Sequence, residues 1–399
     1  MSHRSAVLVL ALGAFAVGTD GYVTTGILQS IADDFHVSVS VAGQLVTVFA
    51  LSYAVSAPVL MTLTANVSRR VMLYGSLGLF LLANLLGALA PDYPTLLAAR
   101  VLAGAAAAVY MNTAVAAATA MTDERHRGRA VSLVVGGLSL ATALGVPIGT
   151  LVGALGSWRA TLGVIAGLAG VGIAGLAATL PATPSPPPIT MGARLRVAAE
   201  PAVLLVVLAN TCAVAGSFTV YTYLAVFARD VTGLSAAGVS AVLFAWGVAA
   251  AAGTALGGRM SDRRGPDRAY LTGVLGVIAA FAALALAALV TRVAEGPATV
   301  VFLAATVAWG VLYWIVPGAQ IQRVMDRAPA APTIAVSVSS ASSYLGVALG
   351  GGIGGATLSL TSSWALPLAG AALLAVAAAL TARQAAGSAV PSGSPGPRG

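Results

Sequence analysis

Two residues of opposite charge stand where an apolar chain accommodates charge least well. Asp20 is the one acidic residue inside the apolar stretch near 6–28, and Arg100 interrupts another near 94–120. If both stretches are helices, Asp20 lies about eight residues, roughly 12 Å, from the end of its stretch near Leu28. Arg100 lies about six residues, roughly 9 Å, from the start of its own. A charge among apolar groups requires a partner, a water-filled cavity or neutralisation. Burial disfavours the ionised carboxylate and a nearby guanidinium favours it, so a carboxyl group poised between the two can exchange a proton. A fixed structural ion pair and a carboxylate that holds a cationic substrate are the alternatives.

Other chemistries find little support. The single cysteine, Cys212, excludes a disulfide within the chain, and His3, His36 and His126 are too scattered for a local metal site. All 20 basic residues are arginine, so the glycine-rich phosphate loop with its lysine is absent and the chain carries no ATP-hydrolysing domain of its own. No cluster of acid, base, nucleophile or metal ligand shares a depth with Asp20. The expectation is a non-enzyme with no cofactor and no metal.

Several polar and aromatic residues within apolar stretches are candidates for the lining of an internal cavity. They are Gln44, Tyr53, Asn112, Asn210, Tyr221, Tyr223, Trp246, Trp309, Tyr313, Trp314 and Gln320. Rings with a few hydrogen-bonding groups suit an amphipathic organic molecule, although some must instead anchor at the lipid interface. Gly145, Pro147, Gly149 and Gly153 predict a closely packed, bent helix, since proline removes a hydrogen bond and glycine admits a neighbouring helix. Gly346, Gly350, Gly351, Gly352, Gly354 and Gly355 favour the same close approach without a proline. The segment Gly258-Arg-Met-Ser-Asp262-Arg263-Arg-Gly265-Pro-Asp-Arg268 reads as a charged turn: Asp262 caps or pairs with an arginine, and Gly265 allows the reversal.

The elements that position these residues follow from composition. Of the 399 residues, 58% are apolar and 8% charged, whereas a soluble domain carries about 25% charged residues. The mean hydropathy is +0.94. Twelve segments reach the roughly 20 residues that cross a bilayer: 6–28, 41–65, 71–90, 94–120, 130–153, 160–180, 202–226, 237–258, 269–291, 298–320, 333–357 and 364–382. In lipid they must be helices, and the alternating polarity of a β-barrel is absent. With the N-terminus in the cytoplasm, sixteen arginines fall inside and three outside (Arg159, Arg229 and Arg292). That bias sets the orientation, with both termini cytoplasmic. It also assigns the net charge of +8 to anionic lipid rather than to nucleic acid.

The spans divide six and six. Residues 1–180 are expected to form an N-terminal bundle and 202–386 a C-terminal one. A proline-containing cytoplasmic linker at 181–201 joins them, and a disordered tail occupies 387–399. Leu144-Gly-Val-Pro-Ile-Gly149 recurs as Leu345-Gly-Val-Ala-Leu-Gly350, an offset of 201, and Tyr22 has Tyr223 at the same offset. A duplicated bundle can rock about a central cavity and expose one site to each side in turn.

These residues make the chain resemble the major facilitator superfamily over about 6–382, specifically its twelve-span drug:proton antiporter branch. Residues 258–268 resemble that family's G-x-L-a-D-R-x-G-R loop. The first-half copy is degraded, with Met61, Ala65 and Ser68 at key positions and only Arg69 and Arg70 kept. Leu96-Leu-Ala-Ala-Arg100-Val-Leu-Ala-Gly104 resembles the fourth-span L-x-x-x-R-x-x-x-G pattern, whose arginine is implicated in proton coupling. Gly145-Val-Pro147-Ile-Gly149, followed by Trp158-Arg159, looks like the fifth-span pattern of exporters. Gly18-Thr-Asp20 and Gly26 through Asp33 are similar to bacterial sugar-efflux, arabinose-efflux and chloramphenicol-resistance proteins, although Gln29 replaces a common proline.

The resemblance implies a multi-pass protein of the bacterial inner membrane that exports a small neutral or amphipathic compound, drug-like or sugar-like, in exchange for protons. Asp20 and Arg100 would couple protons, and the cavity residues would bind substrate. The 145–153 and 258–265 glycines, Pro147, Asp262 and Arg263 would gate or pack. The expected partners are a small molecule, protons and lipid, with the chain acting as a monomer. Import or facilitated diffusion is the alternative direction, and a membrane scaffold or intramembrane enzyme the remote one.

Overall fold

The computed structural model describes residues 3–64, 66–123, 126–180, 190–291 and 295–388. Twelve helices among them are long and apolar enough to cross a membrane, one for each expected stretch. The first four crossings are α1 (His3–Asp34), α2 (Val39–Leu63), α3 (Arg69–Ala88) and α4 (Tyr93–Ala120). The fifth is α5 (Arg127–Leu140), a π-helical turn (Ala141–Gly145) and α6 (Val146–Leu155), and the sixth is α7 (Trp158–Thr179). The proline tract at 181–189 lies outside the described residues, but the rest of the expected linker folds as a short helix, α8 (Met191–Ala199).

In the second half, α9 (Pro201–Tyr221) crosses and leads into the short α10 (Leu224–Thr232). Then α11 (Ala236–Arg264) and α12 (Pro266–Val290) cross, followed by α13 (Glu295–Tyr313) and α14 (Ile315–Arg327), which share one crossing. The last two are α15 (Pro332–Leu360) and α16 (Leu366–Ser388). Helix α16 therefore enters the expected tail by two residues, and 389–399 lies outside the described residues. Twelve crossings bring residues 3 and 388 to the same side, called here the terminal end; the opposite side is the far end.

The helix starts are written in local chemistry. Ser38, Ser68, Ser157 and Ser235 each accept a hydrogen bond from a first-turn amide of the helix that follows. Pro201, Pro266 and Pro332 occupy first helical positions, where a missing N–H costs nothing. Asp92 caps α4, and the hydrogen bonds of Thr95 hold its exposed carboxyl below the usual carboxylate range. This cap is therefore intact above the ordinary carboxylate pKa and is lost as pH falls through the lowered value. Within the spans, threonine hydroxyls return to their own helix: Thr19 donates to Phe15 O at 2.8 Å, Thr219 to Ala215 O at 2.8 Å and Thr306 to Phe302 O at 2.8 Å. A hydroxyl with no water to bond is satisfied in this way.

The fifth crossing explains its glycines. Thr19, Val23 and Ile27 of α1, one per helical turn, lie against Gly145, Gly149 and Gly153. A Cβ on Gly149 would stand 2.6 Å from Val23 Cγ2, and one on Gly145 2.0 Å from Thr19 Oγ1. The bend expected at Pro147 takes the form of the π turn just before it. The extra residue in that turn accommodates a ring that would otherwise strike the carbonyl four residues back.

Overpacking this seam should cost about 1–3 kcal/mol. Gly149→Leu is therefore expected to lower the thermal unfolding midpoint of the detergent-purified protein. Gly163→Ala, where an added Cβ meets nothing within 4 Å, should leave it unchanged or raise it slightly.

Candidate functional site

The two intramembrane charges meet. Arg100 Nη1 donates to Asp20 Oδ1 at 2.6 Å, and Nη2 to the Asp20 carbonyl at 3.3 Å. Asp20 is 0% exposed and Arg100 3%. The guanidinium carbon lies 4.5 Å from the ring centroid of Phe49 on α2, a cation–π contact. Asn84 of α3 stands beside the carboxylate, its own amide donating to Phe80 O at 3.0 Å. Asp20 Oδ2, Arg100 Nε and Asn84 Oδ1 have no hydrogen-bond partner among the described residues. Four helices of the first half thus enclose the pair. Because Asp20 is committed to Arg100, it is not free to hold a cationic substrate in this conformation.

A second assembly lies between the halves. The crossing α9–α10 loses helical geometry at Thr222–Tyr223, and α13–α14 breaks at Trp314. Pro317 explains the second break, because it offers no N–H to the Tyr313 carbonyl. Five of the cavity candidates meet here. The Trp246 ring lies 4.5 Å from Tyr221, 5.6 Å from Trp309 and 6.5 Å from Tyr313. Trp314 joins at 6.2 Å from Trp246. From the first half, Tyr22 approaches Phe218 and Tyr221, each at 6.0 Å. The π turn of the fifth crossing also reaches this region, since a Cβ on Gly247 would stand 2.4 Å from Thr142 O. Three helix irregularities therefore border one packed ring assembly between the halves, called here the chamber.

The remaining cavity candidates lie elsewhere. Tyr53 stacks on Tyr344 across the halves, with centroids 3.4 Å apart and planes 13° from parallel. Tyr223 donates to Gly351 O at 3.0 Å and packs on Gly43, and Gln44 Nε2 approaches both Ser40 O and Gly355. Both residues belong to a closure at the far end. There Ser40 donates to Gly355 O at 2.7 Å and Ser240 to Pro147 O at 2.9 Å. Asn210 bonds Ser342 and Ser343, each at 2.9 Å, inside the second half. Asn112 donates to Ala108 O of its own helix at 2.8 Å and remains half-buried.

Gln320, expected in the cavity lining, belongs to a buried polar network around Arg323. Arg323 is 1% exposed and donates to Asp267 Oδ1 at 2.7 Å, Gln384 Oε1 at 2.9 Å and Gln320 Oε1 at 3.2 Å. It also lies 4.0 Å from the Tyr270 ring centroid. Arg327 adds a bond to Asp267 Oδ2 at 3.0 Å. The ion-paired acid of the charged turn is accordingly Asp267 rather than Asp262. Gly258, Asp262 and Arg263 are exposed on the last turns of α11, and Gly265 closes that helix at φ +83°. The latch joins α12, α14 and α16 within one half. The signal that would have revealed it is the helical continuation of Ile315–Arg327 past the apolar window, which places Gln320 and Arg323 one turn apart.

Removing one member of the Asp20–Arg100 pair leaves the other uncompensated, at a cost of about 3–5 kcal/mol. Arg100→Ala is expected to lower the unfolding midpoint markedly. The double variant Asp20→Asn with Arg100→Ala should recover a measurable part of the loss, and strictly additive effects would exclude direct coupling.

Comparison with known proteins places this geometry. The family model described as Major Facilitator Superfamily matches residues 10–334. The MFS-type transporter YbcL of Bacillus subtilis is 30% identical over 89% of each chain. The chloramphenicol resistance protein of Streptomyces lividans is 32% identical over 94% of each. The inner membrane transport protein YdhP of Escherichia coli is 31% identical over 93% of each. Among solved structures, a point mutant of the nucleoside transporter NupG superposes with a TM-score of 0.75 at 12% identity, covering 95% of this chain and 99% of its own. A bacterial homologue of the human lysosomal transporter Spinster, in an inward-facing and unoccupied conformation, gives 0.74 at 20% identity over 96% and 97%.

Proposed function

The chain belongs to the major facilitator superfamily, a multi-pass transporter of the bacterial inner membrane and not an enzyme, and from that premise we propose that it exports a small neutral or amphipathic organic compound in exchange for protons. The observation that carries this reading is the sealed carboxylate–guanidinium pair two residues from Tyr22. It sets a buried carboxylate, the group we assign to proton exchange, on the helix whose Tyr22 packs against the second half.

The orientation follows from arginine. With the terminal end in the cytoplasm, the basic residues gather on the inner face. The far-end bonds of Ser40 and Ser240 then close the outer face. Two bodies of six spans, 1–180 and 202–386, rock about the chamber, and 181–201 holds them together. Its helix α8 bonds α15 through Arg194 and Ser337 at 2.7 Å. Export as the direction is supported by the Gly145-Val-Pro147-Ile-Gly149 pattern and by likeness to a chloramphenicol resistance protein.

In the proposed cycle, rocking opens the outer closure and admits a proton to Asp20. The neutral carboxyl no longer balances Arg100, whose guanidinium retains the Asp20 carbonyl and the face of Phe49. Return to the inward-open form releases the proton, and the pair re-forms. One elementary charge crossing the membrane gains about 2.3 kcal/mol per 100 mV. Tyr221, Trp246, Trp309 and Tyr313 bind the substrate, while Tyr53, Tyr223 and Gln44 line the moving seam. Asn112, Asn210 and Gln320 shape the helices around it. Gly145, Pro147, Gly149, Gly153, Gly258, Asp262, Arg263 and Gly265 serve gating and packing, and the chain acts as a monomer.

Inverted membrane vesicles provide the test, with labelled chloramphenicol and a panel of neutral aromatic and sugar-like compounds. An acid lumen should drive accumulation, and a protonophore should abolish it. Asp20→Asn should cut gradient-driven accumulation at least tenfold while passive exchange of the same compound persists. Accumulation that ignores the gradient, or survives intact in Asp20→Asn, overturns the coupling.

A further inference from the structure

Two indole N–H groups in the chamber are buried without a partner. Trp246 Nε1 and Trp314 Nε1 make no hydrogen bond among the described residues. Trp309 differs, donating to Ser217 Oγ at 2.8 Å. An indole nitrogen can only donate, so an enclosed and unpaired one is unfavourable until another molecule supplies an acceptor. Trp246 is 1% exposed and sits at the centre of the ring assembly, so its unpaired edge marks where that acceptor belongs.

The rings define the rest of the ligand. Trp246, Tyr221, Tyr313 and Trp314 stand 4.5–6.5 Å apart in tilted, edge or stacked arrangements, the spacing at which aromatic groups attract one another. Tyr22 is the first-half ring in contact with this assembly. When the halves rock, that wall moves away from the others and leaves a slot matched to another ring.

Charge selects further. None of these rings brings a carboxylate or guanidinium with it, and Asp20, two residues from Tyr22, is paired with Arg100. An ion entering the chamber would lose its water without gaining a counter-charge. Ring faces do attract quaternary ammonium groups. Here, however, Tyr221 lies only 4.5 Å from Trp246, and the unused group on the indole is the positive N–H edge.

Resting on the reading that substrate is carried between the halves, we infer that the chamber selects an uncharged compound whose aromatic ring bears a hydrogen-bond acceptor. The ring stacks beside Tyr221 where Tyr22 withdraws, and the acceptor takes the indole protons of Trp246 and Trp314. This selects within the broad class of neutral and amphipathic compounds: a saturated sugar lacks the ring, and a lipophilic cation lacks the acceptor and carries the wrong charge.

The test is equilibrium binding to the full chain in lipid nanodiscs by isothermal titration, with no gradient. The probes are 4-nitroacetanilide, N-cyclohexylacetamide and phenyltrimethylammonium. The first should bind at least tenfold more tightly than either of the others. Trp246→Phe keeps a ring and removes the donor, and should weaken 4-nitroacetanilide binding five- to tenfold without strengthening the other two. Trp314→Phe is the parallel variant should Trp246→Phe fail to elute as a monodisperse species. Equal or tighter binding of phenyltrimethylammonium, unchanged affinity in the folded variants, or no binding of 4-nitroacetanilide at millimolar concentration overturns the inference. Since binding is read without transport, a failure of proton coupling leaves these outcomes intact. Gradient-driven export of a compound lacking the ring, combined with no 4-nitroacetanilide binding, removes the chamber chemistry alone.

Discussion

Hydrocarbon offers no hydrogen bonds, and every polar atom within the membrane must be answered by the protein itself. That constraint makes each crossing a helix and folds the threonine hydroxyls back onto the preceding turn. It also accounts for the buried clusters. Asp20 is held by Arg100, whose own charge rests on the face of Phe49. Arg323 is surrounded by Asp267, Gln320, Gln384 and Tyr270. Under the same rule, the few atoms left unanswered carry information. Asp20 Oδ2 lies at the ion pair and the indole nitrogens of Trp246 and Trp314 lie in the chamber, while others, such as Tyr74 Oη and Ser261 Oγ, lie elsewhere.

Packing obeys a second constraint. Without a hydrophobic difference between lipid and protein, helices associate by close fit. The first and fifth crossings show this, with Thr19, Val23 and Ile27 seated on Gly145, Gly149 and Gly153. The seams between the halves combine such fits, Gly247 against Thr142 and Gly43 against Tyr223, with flatter contacts. Tyr53 lies flat on Tyr344, and the far end is held by single hydrogen bonds from Ser40 and Ser240. Interdigitated side chains resist sliding, whereas flat rings and isolated hydroxyl bonds separate with little disruption.

Much of this was legible in the residues, for identifiable reasons. Span number followed from length and apolarity. Depth put Asp20 and Arg100 at one level and made a pair one of the open roles, but helix rotation decides whether they meet. Helix rotation was not legible, so Phe49 and Asn84 went unnamed as neighbours of the pair. Tyr22 and Tyr344 escaped for the same cause. Arg323 fell outside the expected span 298–320 because hydropathy fades near Gln320 while the helix runs on to Arg327. The glycine turn at Gly265 was visible, but which acid it presents was not: Asp262 precedes the turn on an exposed face, and Asp267 follows it toward α14. The break at Trp314 had a signal in Pro317. The break at Thr222–Tyr223 has neither proline nor glycine to announce it.

The first helix connects these parts through its geometry. Successive residues turn by about 100°, so Asp20 and Tyr22 stand about 200° apart around α1, on nearly opposite faces. One face meets Arg100 inside the first half, and the other meets Phe218 and Tyr221 of the second. Between them the face carrying Thr19, Val23 and Ile27 is fixed against the fifth crossing. A helix held along one face and loaded on two others cannot shift at Tyr22 without transmitting the shift to Asp20. In the proposed cycle this is sufficient for coupling. With the proton released and the Asp20–Arg100 pair re-formed, α1 sits so that Tyr22 yields to a ring entering from the inner side, and protonation of the carboxylate from the outer side shifts α1 back and expels the ring. No chain of relays across the protein is required, because the substrate wall and the proton site are two faces of one rigid helical turn.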